Sequence, residues 1–223
     1  MSGSTWKSLK GKHSDQQYDW INGPPVIEVT DVAQLRLYAT QMKTSIEGYD
    51  TGGYETYDDE LNLIEEVDNW NDRVSNSISI LELIIKCNGY DYNVVYRVLG
   101  TPVGILCVGD NDPAHIFYLV AHPGTDNAGG TLMELAADWS EARGKGGRLD
   151  LYSYDKKSTA AYKAMGFVKS DGDYDSGGDM TLNPSTSDKW TKAGTNWKLA
   201  KYVTKGYYAT RAKPLPIPTK KNL

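Results

Sequence analysis

The chain lacks any long apolar run. Nothing in its 223 residues approaches the ~18 consecutive apolar residues of a membrane span, and the mean hydropathy is −0.53, so no membrane association is expected. Cysteine is scarce as well: Cys87 and Cys107 are too few for a disulfide framework or a zinc cluster. With only His13, His115 and His122 available, a multi-histidine metal site is also excluded, and no metal is expected. The opening stretch, MSGSTWKSLKGKHSDQQYDW, has no apolar h-region, so no ordinary signal peptide is read and the expected compartment is the cytoplasm. Delivery from there as an effector is compatible with the same sequence.

What is present suits one core. The length fits a single domain of roughly 150–200 residues with extensions, and 39% of the residues are apolar. The net charge of −5 conceals a division. Residues 184–223 hold nine basic side chains and one acid, a net +8, and residues 1–183 carry −13. Three regions follow: a polar arm over 1–24, closed by Gly23-Pro24-Pro25, a folded domain over 25–183, and a basic aromatic extension over 184–223.

Along the domain, Val26–Val29 suits a strand. Thr30 or Asp31 can cap a helix, in which Leu35, Tyr38, Met42 and Ile46 recur at helical spacing. Leu61, Ile64, Val67 and Val74 support a second helix. Residues 78–87, ISILELIIKC, are rich in β-branched side chains and read as a strand. Val94–Leu99 and Pro102–Val108 flank Gly100-Thr101 as a hairpin, and Ile116–Ala121 is a central strand covered on both faces. PGTDNAGG at 123–130 leads into an amphipathic helix from about Thr131 to near Gly144. A strand at Leu149–Tyr152, a helix at Thr159–Met165, a return strand from Gly166-Phe167 and a last strand at Asp179–Leu182 complete the domain. The extension predicts a helix around Trp190–Tyr202 and a polyproline-like segment over 213–218.

Strand, glycine-rich loop and helix together form an anion site. A helix start leaves backbone N–H groups unpaired, and glycines let a phosphate approach them. The unit at 116–131 is neither a P-loop, for no Gly-Lys-Ser/Thr follows, nor a Rossmann fingerprint, for the three-glycine spacing is missing. Two further motifs accompany it. The central strand ends in Leu119-Val120-Ala121-His122-Pro123. Then Leu149, Leu151, Asp155, Ser158, Tyr162, Gly166 and Phe167 follow at fixed spacing. Over about Val94 to Leu182 the sequence resembles the GNAT acetyltransferases, whose second motif reads Leu-x-Leu-x-x-x-Asn-x-x-Ala-x-x-x-Tyr-x-x-x-Gly-Phe. Asp155 and Ser158 stand where that motif has Asn and Ala.

The resemblance implies an α+β (α/β three-layer) fold with a mixed, mostly antiparallel sheet flanked by helices. It also implies acetyl-CoA as co-substrate, with pantetheine along Leu119, Val120 and Ala121 and pyrophosphate on the amides of Asn127, Ala128, Gly129, Gly130 and Thr131. Asp155 and Ser158 fall at cofactor-side positions of the same pattern. The loop departs from the family's Gln/Arg-x-x-Gly-x-Gly/Ala. Counting from Pro123 aligns 126–131 and loses the basic residue and the second glycine. Counting back from Leu132, Met133 and Trp139 makes Gly129 the second glycine and shortens the loop by two residues, and this register is preferred. In either, backbone amides alone hold the pyrophosphate.

Tyr162 occupies the family's usual acid position, where a phenol of pKa about 10 protonates the departing thiolate; packing beside Phe167 is its purely structural reading. The family often places a Glu eight residues before the proline of the strand end. That position is His115, an imidazole suited to act as base; a surface histidine opening a strand is its purely structural reading. Asp110 and Asp112 are alternative carboxylates, and His122 reads as structural. The implied activity is direct acetyl transfer, with no covalent enzyme intermediate, to a primary amine of a small molecule, protein or aminoacyl-tRNA. The alternative is a non-catalytic GNAT-like binding module acting through its basic tail. In residues 184–223, Trp190, Trp197, Tyr202, Tyr207 and Tyr208 interleave with basic side chains, a pattern that suits RNA or an acidic partner. It equally suits aromatics covering the domain while lysines pair with its acids.

Overall fold

Alternating apolar side chains in consecutive segments build the sheet. The computed structural model describes residues 18–19, 25–47, 61–98, 100–122, 128–200 and 217–218. Its elements run β1 (Tyr18–Asp19), β2 (Pro25–Val29), α1 (Val32–Glu47), α2 (Leu61–Lys86), β3 (Tyr92–Val98), β4 (Thr101–Gly109), β5 (Ala114–Ala121), α3 (Ala128–Ala142) and β6 (Leu149–Ser153). Then come α4 (Lys156–Ala164), β7 (Val168–Lys169), β8 (Gly178–Leu182), β9 (Trp190–Ala193), β10 (Asn196–Leu199) and β11 (Ile217–Pro218). Seven strands form the central sheet in the order β2-β3-β4-β5-β6-β8-β7, and β9–β10 and β1–β11 are separate two-stranded pairs. Every neighbour in the main sheet is antiparallel except β5 and β6. This is the mixed, mostly antiparallel sheet with flanking helices that the resemblance implies.

Strand alternation sends side chains to two cores. On one face α1 and α2 bury Leu35, Met42, Ile46, Leu81 and Ile84 against Val95, Ile105, Cys107 and Val120. On the other, Leu132, Met133 and Ala136 of α3 pack on Val94, Leu106, Ile116, Leu149, Leu151 and Met180. Gly104 in β4 brings α3 close, since a Cβ there would stand 2.9 Å from Leu132 Cδ1.

Two expected elements are corrected. Residues 78–86 are the last turns of α2, not a strand. As a strand, Leu81 and Ile84 would point to opposite faces. As a helix, both are fully buried on the α1 side with Ser77, at about 1.5–3 kcal/mol for each large apolar side chain. That outweighs a β-propensity difference of at most ~1 kcal/mol. The expected helix at 190–202 is instead the β9–β10 hairpin through residue 199, with Trp197 paired to Lys192 and Leu199 to Trp190. In the hairpin Trp190 and Trp197 reach one core, and Gly194 supplies the positive φ of the turn. Helix α3 also begins at Ala128, three residues before the expected start. The Gly/Tyr/Asp loop after Glu47, the turn residues 123–127 and most of 201–223 lie outside the described residues.

Candidate active site

The β5–β6 junction opens along its length. The parallel pairing covers only Ala114–Ile116 against Leu149–Leu151, whereas β5 continues with β4 as far as Ala121 opposite Gly104. A bulge starts the divergence: Ile116 faces Val108 and Tyr118 faces Cys107, so Phe117 is the extra residue. Its ring lies over Gly109, where a Cβ would come within 2.6 Å of Cε2.

The bulge also reverses which backbone groups face which neighbour. Ahead of it, the Ala114 N–H donates to Arg148 C=O on the β6 side. Beyond it, the His122 N–H donates to Val103 C=O on β4. By alternation Val120 turns its amide to β4, while Leu119 and Ala121 turn theirs into the opening. Of the three expected backbone contacts, two therefore face the gap, and the Val120 side chain is buried under α1 and α2.

Helix α3 starts beyond the end of β5. Ala128 and Gly130 are buried, Gly129 and Thr131 partly so, and a Cβ on Gly129 would meet nothing within 4 Å. The first four N–H groups of the helix, on 128–131, have no partner within it. Asn127 lies outside the described residues. The expected amide site thus consists, as described, of a helix start with no basic side chain among residues 128–131.

Asp155 and Ser158 serve each other. Asp155 Oδ1 accepts from the Ser158 N–H at 2.7 Å, and Ser158 Oγ accepts from the Asp155 N–H at 3.0 Å. This reciprocal capping box starts α4 and satisfies two otherwise unpaired donors. It accounts for the Asp and Ser at these positions, whose side chains are engaged in the cap.

Tyr162 on α4 is partly buried against the α3-side core, its ring centroid 5.7 Å from that of Phe167. Burial and then the charge of Asp155 push its pKa up to about 12. A group raised in this way is protonated at every working pH. It is also a weaker acid than an ordinary phenol, so full transfer to a thiolate of pKa about 8.5 runs uphill. It remains a hydrogen-bond donor across the working pH range.

His115 lies on the opposite face, because its neighbours Ala114 and Ile116 point under α3. Its Nδ1 is 3.1 Å from Asp150 Oδ1 on the adjoining strand, and its ring stands edge-on to Phe117 at 4.6 Å. A proton on Nδ1 shared with Asp150 leaves Nε2 as a lone-pair acceptor. Asp150 is the residue that sequence reasoning missed: the register linking 115 to 150 crosses 35 residues, and only the alternation of LDLYS hinted at its face.

The alternative carboxylates are engaged elsewhere. Asp110 pairs with Lys145 and Arg143, which hold its carboxyl below the usual range. Asp112 pairs with Arg148 at 2.7 Å. His122 is buried with Nε2 3.4 Å from Ser45 Oγ. A shallow recess at the far end of α3, lined by Glu141, Arg148, Lys192 and Trp197, holds charges that are already paired. Among the described residues no group of three or more His, Cys, Asp or Glu is placed to hold a metal, and no helix is long and apolar enough to cross a membrane.

No family model matches the chain, and no curated protein matches its sequence. Among solved structures it is similar to PaiA N-acetyltransferase from Thermoplasma acidophilum in complex with coenzyme A, at 16% identity and a TM-score of 0.43 over 72% of this chain and 99% of that one. A GCN5-related N-acetyltransferase structure from Rhodopseudomonas palustris is 18% identical with a TM-score of 0.43, covering 74% and 99%. The ribosomal-protein-S18-alanine N-acetyltransferase from Escherichia coli is 14% identical with a TM-score of 0.42, covering 71% and 93%. What bears on function is the chain's own strand order and its open junction.

Proposed function

We propose that the chain is an acetyl-CoA-dependent N-acetyltransferase that transfers acetyl directly to a primary amine. The observation that carries this reading is the opened β5–β6 junction, with the amides of Leu119 and Ala121 turned into it and the unpaired N–H groups of α3 beyond its end. An extended amide-bearing arm fits the strand edge, and a pyrophosphate fits the helix start. When bound, acetyl-CoA supplies an activated acetyl thioester.

The residues on the two faces then divide the work. His115 Nε2 takes the proton of the attacking amine, directly or through one water, and Asp150 holds the imidazole in the tautomer that leaves Nε2 free. From the α3 side, the Tyr162 hydroxyl donates a hydrogen bond to the sulfur as charge collects there. The opening joins both faces, so amine and thioester can meet without a covalent enzyme intermediate. Ala128, Gly129, Gly130 and Thr131 hold the pyrophosphate by main chain, and Asp155 and Ser158 contribute by fixing the start of the helix that carries Tyr162.

Isothermal titration of the full-length protein with acetyl-CoA tests the reading. Binding with release of CoA in the presence of an amine is the expected result. No binding up to millimolar acetyl-CoA overturns it and leaves the non-catalytic binding module.

A further inference from the structure

Among the described residues, no element covers the sheet face beside His115 beyond β5, whereas the other face is covered. Helices α1 and α2 overlie β3, β4 and β5, but the strands beyond β5 expose their side chains on this side. Leu149, Leu151, Met180 and Leu182 point under α3, so Asp150, Tyr152, Asp179 and Thr181 point the other way. Register places Tyr152 opposite Asp179 and Val168 opposite Thr181. Phe117, Tyr152 and Val168 are 43%, 64% and 59% exposed, and Tyr154, one residue past β6, is 81% exposed. Exposed aromatic and apolar side chains gathered on one sheet face offer a surface suited to binding.

Charge identifies the occupant. Strands β5, β6 and β8 contain no Lys or Arg, and the face carries Asp150 and Asp179 among its aromatic rings. Carboxylates beside open ring faces attract ammonium and guanidinium groups. Length identifies it further: Asp150 to Tyr154 spans about 13 Å of strand at ~3.3 Å per residue, which matches some four residues of an extended peptide. Resting on the transferase reading, we propose that this face is the acceptor surface. Its occupant is an extended cationic peptide that presents a lysine or N-terminal amine to His115 and lays neighbouring basic side chains over Tyr152 and Asp179.

Fluorescence anisotropy tests this with the full-length protein and a labelled ten-residue peptide whose central Lys is flanked by Arg. The expected result is binding that weakens about two- to fivefold in Tyr152→Ser, by a similar factor in Asp179→Asn, and at least tenfold when Glu replaces the flanking Arg. Both side chains are exposed, so thermal unfolding followed by circular dichroism should be unchanged in the variants. Equal affinity in both variants, equal binding of the Glu-flanked peptide, or no binding of the Arg-flanked peptide overturns the proposal. Displacement by spermidine as effectively as by unlabelled peptide assigns the face to a small polyamine and overturns it too. The measurement needs no acetyl-CoA. Peptide binding without acetyl-CoA binding therefore removes the transferase reading alone, and acetyl-CoA binding without peptide binding removes the peptide surface alone.

Discussion

Tyr162 and Asp150 divide the candidate chemistry between a donor held in a core and a charge that orients a base. Tyr162→Phe should lower kcat about 100-fold, within the range for removing one positioned hydrogen-bond donor to developing charge, while the acetyl-CoA Kd changes less than about twofold. Equal turnover in Tyr162→Phe would leave the ring a packing partner of Phe167. Because burial pushes the phenol's pKa up to about 12, its proton is lost only at pH values above the ordinary phenol range. A pH profile of kcat should accordingly show no decline from this residue between pH ~7 and ~10. Asp150→Asn should lower kcat about tenfold or more with acetyl-CoA affinity unchanged, because the imidazole loses the carboxylate that fixes its tautomer. Lys169 is a different case: it is buried, and its Nζ donates to the carbonyls of Asp173 and Ser176 and to Ser176 Oγ, holding the β7–β8 turn. Lys169→Met should reduce stability by about 2–3 kcal/mol in urea denaturation, since buried acceptors lose a charged donor. As candidates, Tyr162 and His115 were legible from motif spacing. Asp150 and Lys169 were not, because a cross-strand register and a turn closed by a lysine leave no periodic trace in the chain.

Helix α3 illustrates how an element's partners decide what its sequence means. Glu134, Asp138 and Glu141 lie along one side of it and clasp the β9–β10 hairpin. Glu134 accepts from the Leu199 N–H at 2.9 Å and from Lys198 at 3.1 Å, Asp138 accepts from the Trp197 N–H at 2.6 Å, and Glu141 accepts from the Trp197 indole and Lys192. In the sequence this helix shows only its apolar face, Leu132, Leu135, Ala136 and Trp139. Its position was legible, but its second packed face was not, because the covering strands lie some fifty residues onward. Burial is the largest influence on Glu134 and raises its pKa. A carboxyl raised on folding binds more protons in the native state, so its contribution is fully present below the unfolded value of about 4.5 and is lost as pH rises through the raised native value. Glu134→Gln should therefore remove a loss of stability that the native chain shows as pH climbs above ~4.5. Glu134→Ala should cost about 1–3 kcal/mol by stranding the Leu199 N–H. Parallel urea titrations of the three proteins at several pH values would read both effects, and identical pH slopes for the native chain and Glu134→Gln would refute the first.

At the scale of the molecule, the +8 over residues 184–223 is two things rather than one tail. Lys192 and Lys198 are neutralised on α3, and Trp190 and Trp197, each 6% exposed, are core residues with no ring face left for a nucleic-acid base. Trp190 also donates its indole N–H to the Met165 carbonyl at 2.6 Å, at the end of α4, so the hairpin joins the helix whose start is the candidate pyrophosphate site to the helix that bears Tyr162. Composition alone divided the chain at Asn183 because charge is summed along sequence, whereas packing places 190–199 inside the acidic body. Lys189 pairs with Asp188, the one acid of the extension, and the remaining six basic residues, Lys201, Lys205, Arg211, Lys213, Lys220 and Lys221, have no acid among them, so any RNA or acidic partner is to be sought there. Two truncations separate these roles. A chain ending at residue 183 uncovers the α3-side core and leaves Glu134, buried in the native chain, without its partners. It should melt well below the native protein, by about 10 °C or more, since several kcal/mol are removed at ~2–4 °C per kcal/mol for a domain of this size. A chain ending at residue 200 keeps the hairpin and should melt well above the chain ending at 183, and only in that chain does a loss of steeply salt-dependent RNA binding report on the basic segment itself. Equal melting temperatures for the two truncations would mean that the hairpin contributes nothing to the fold.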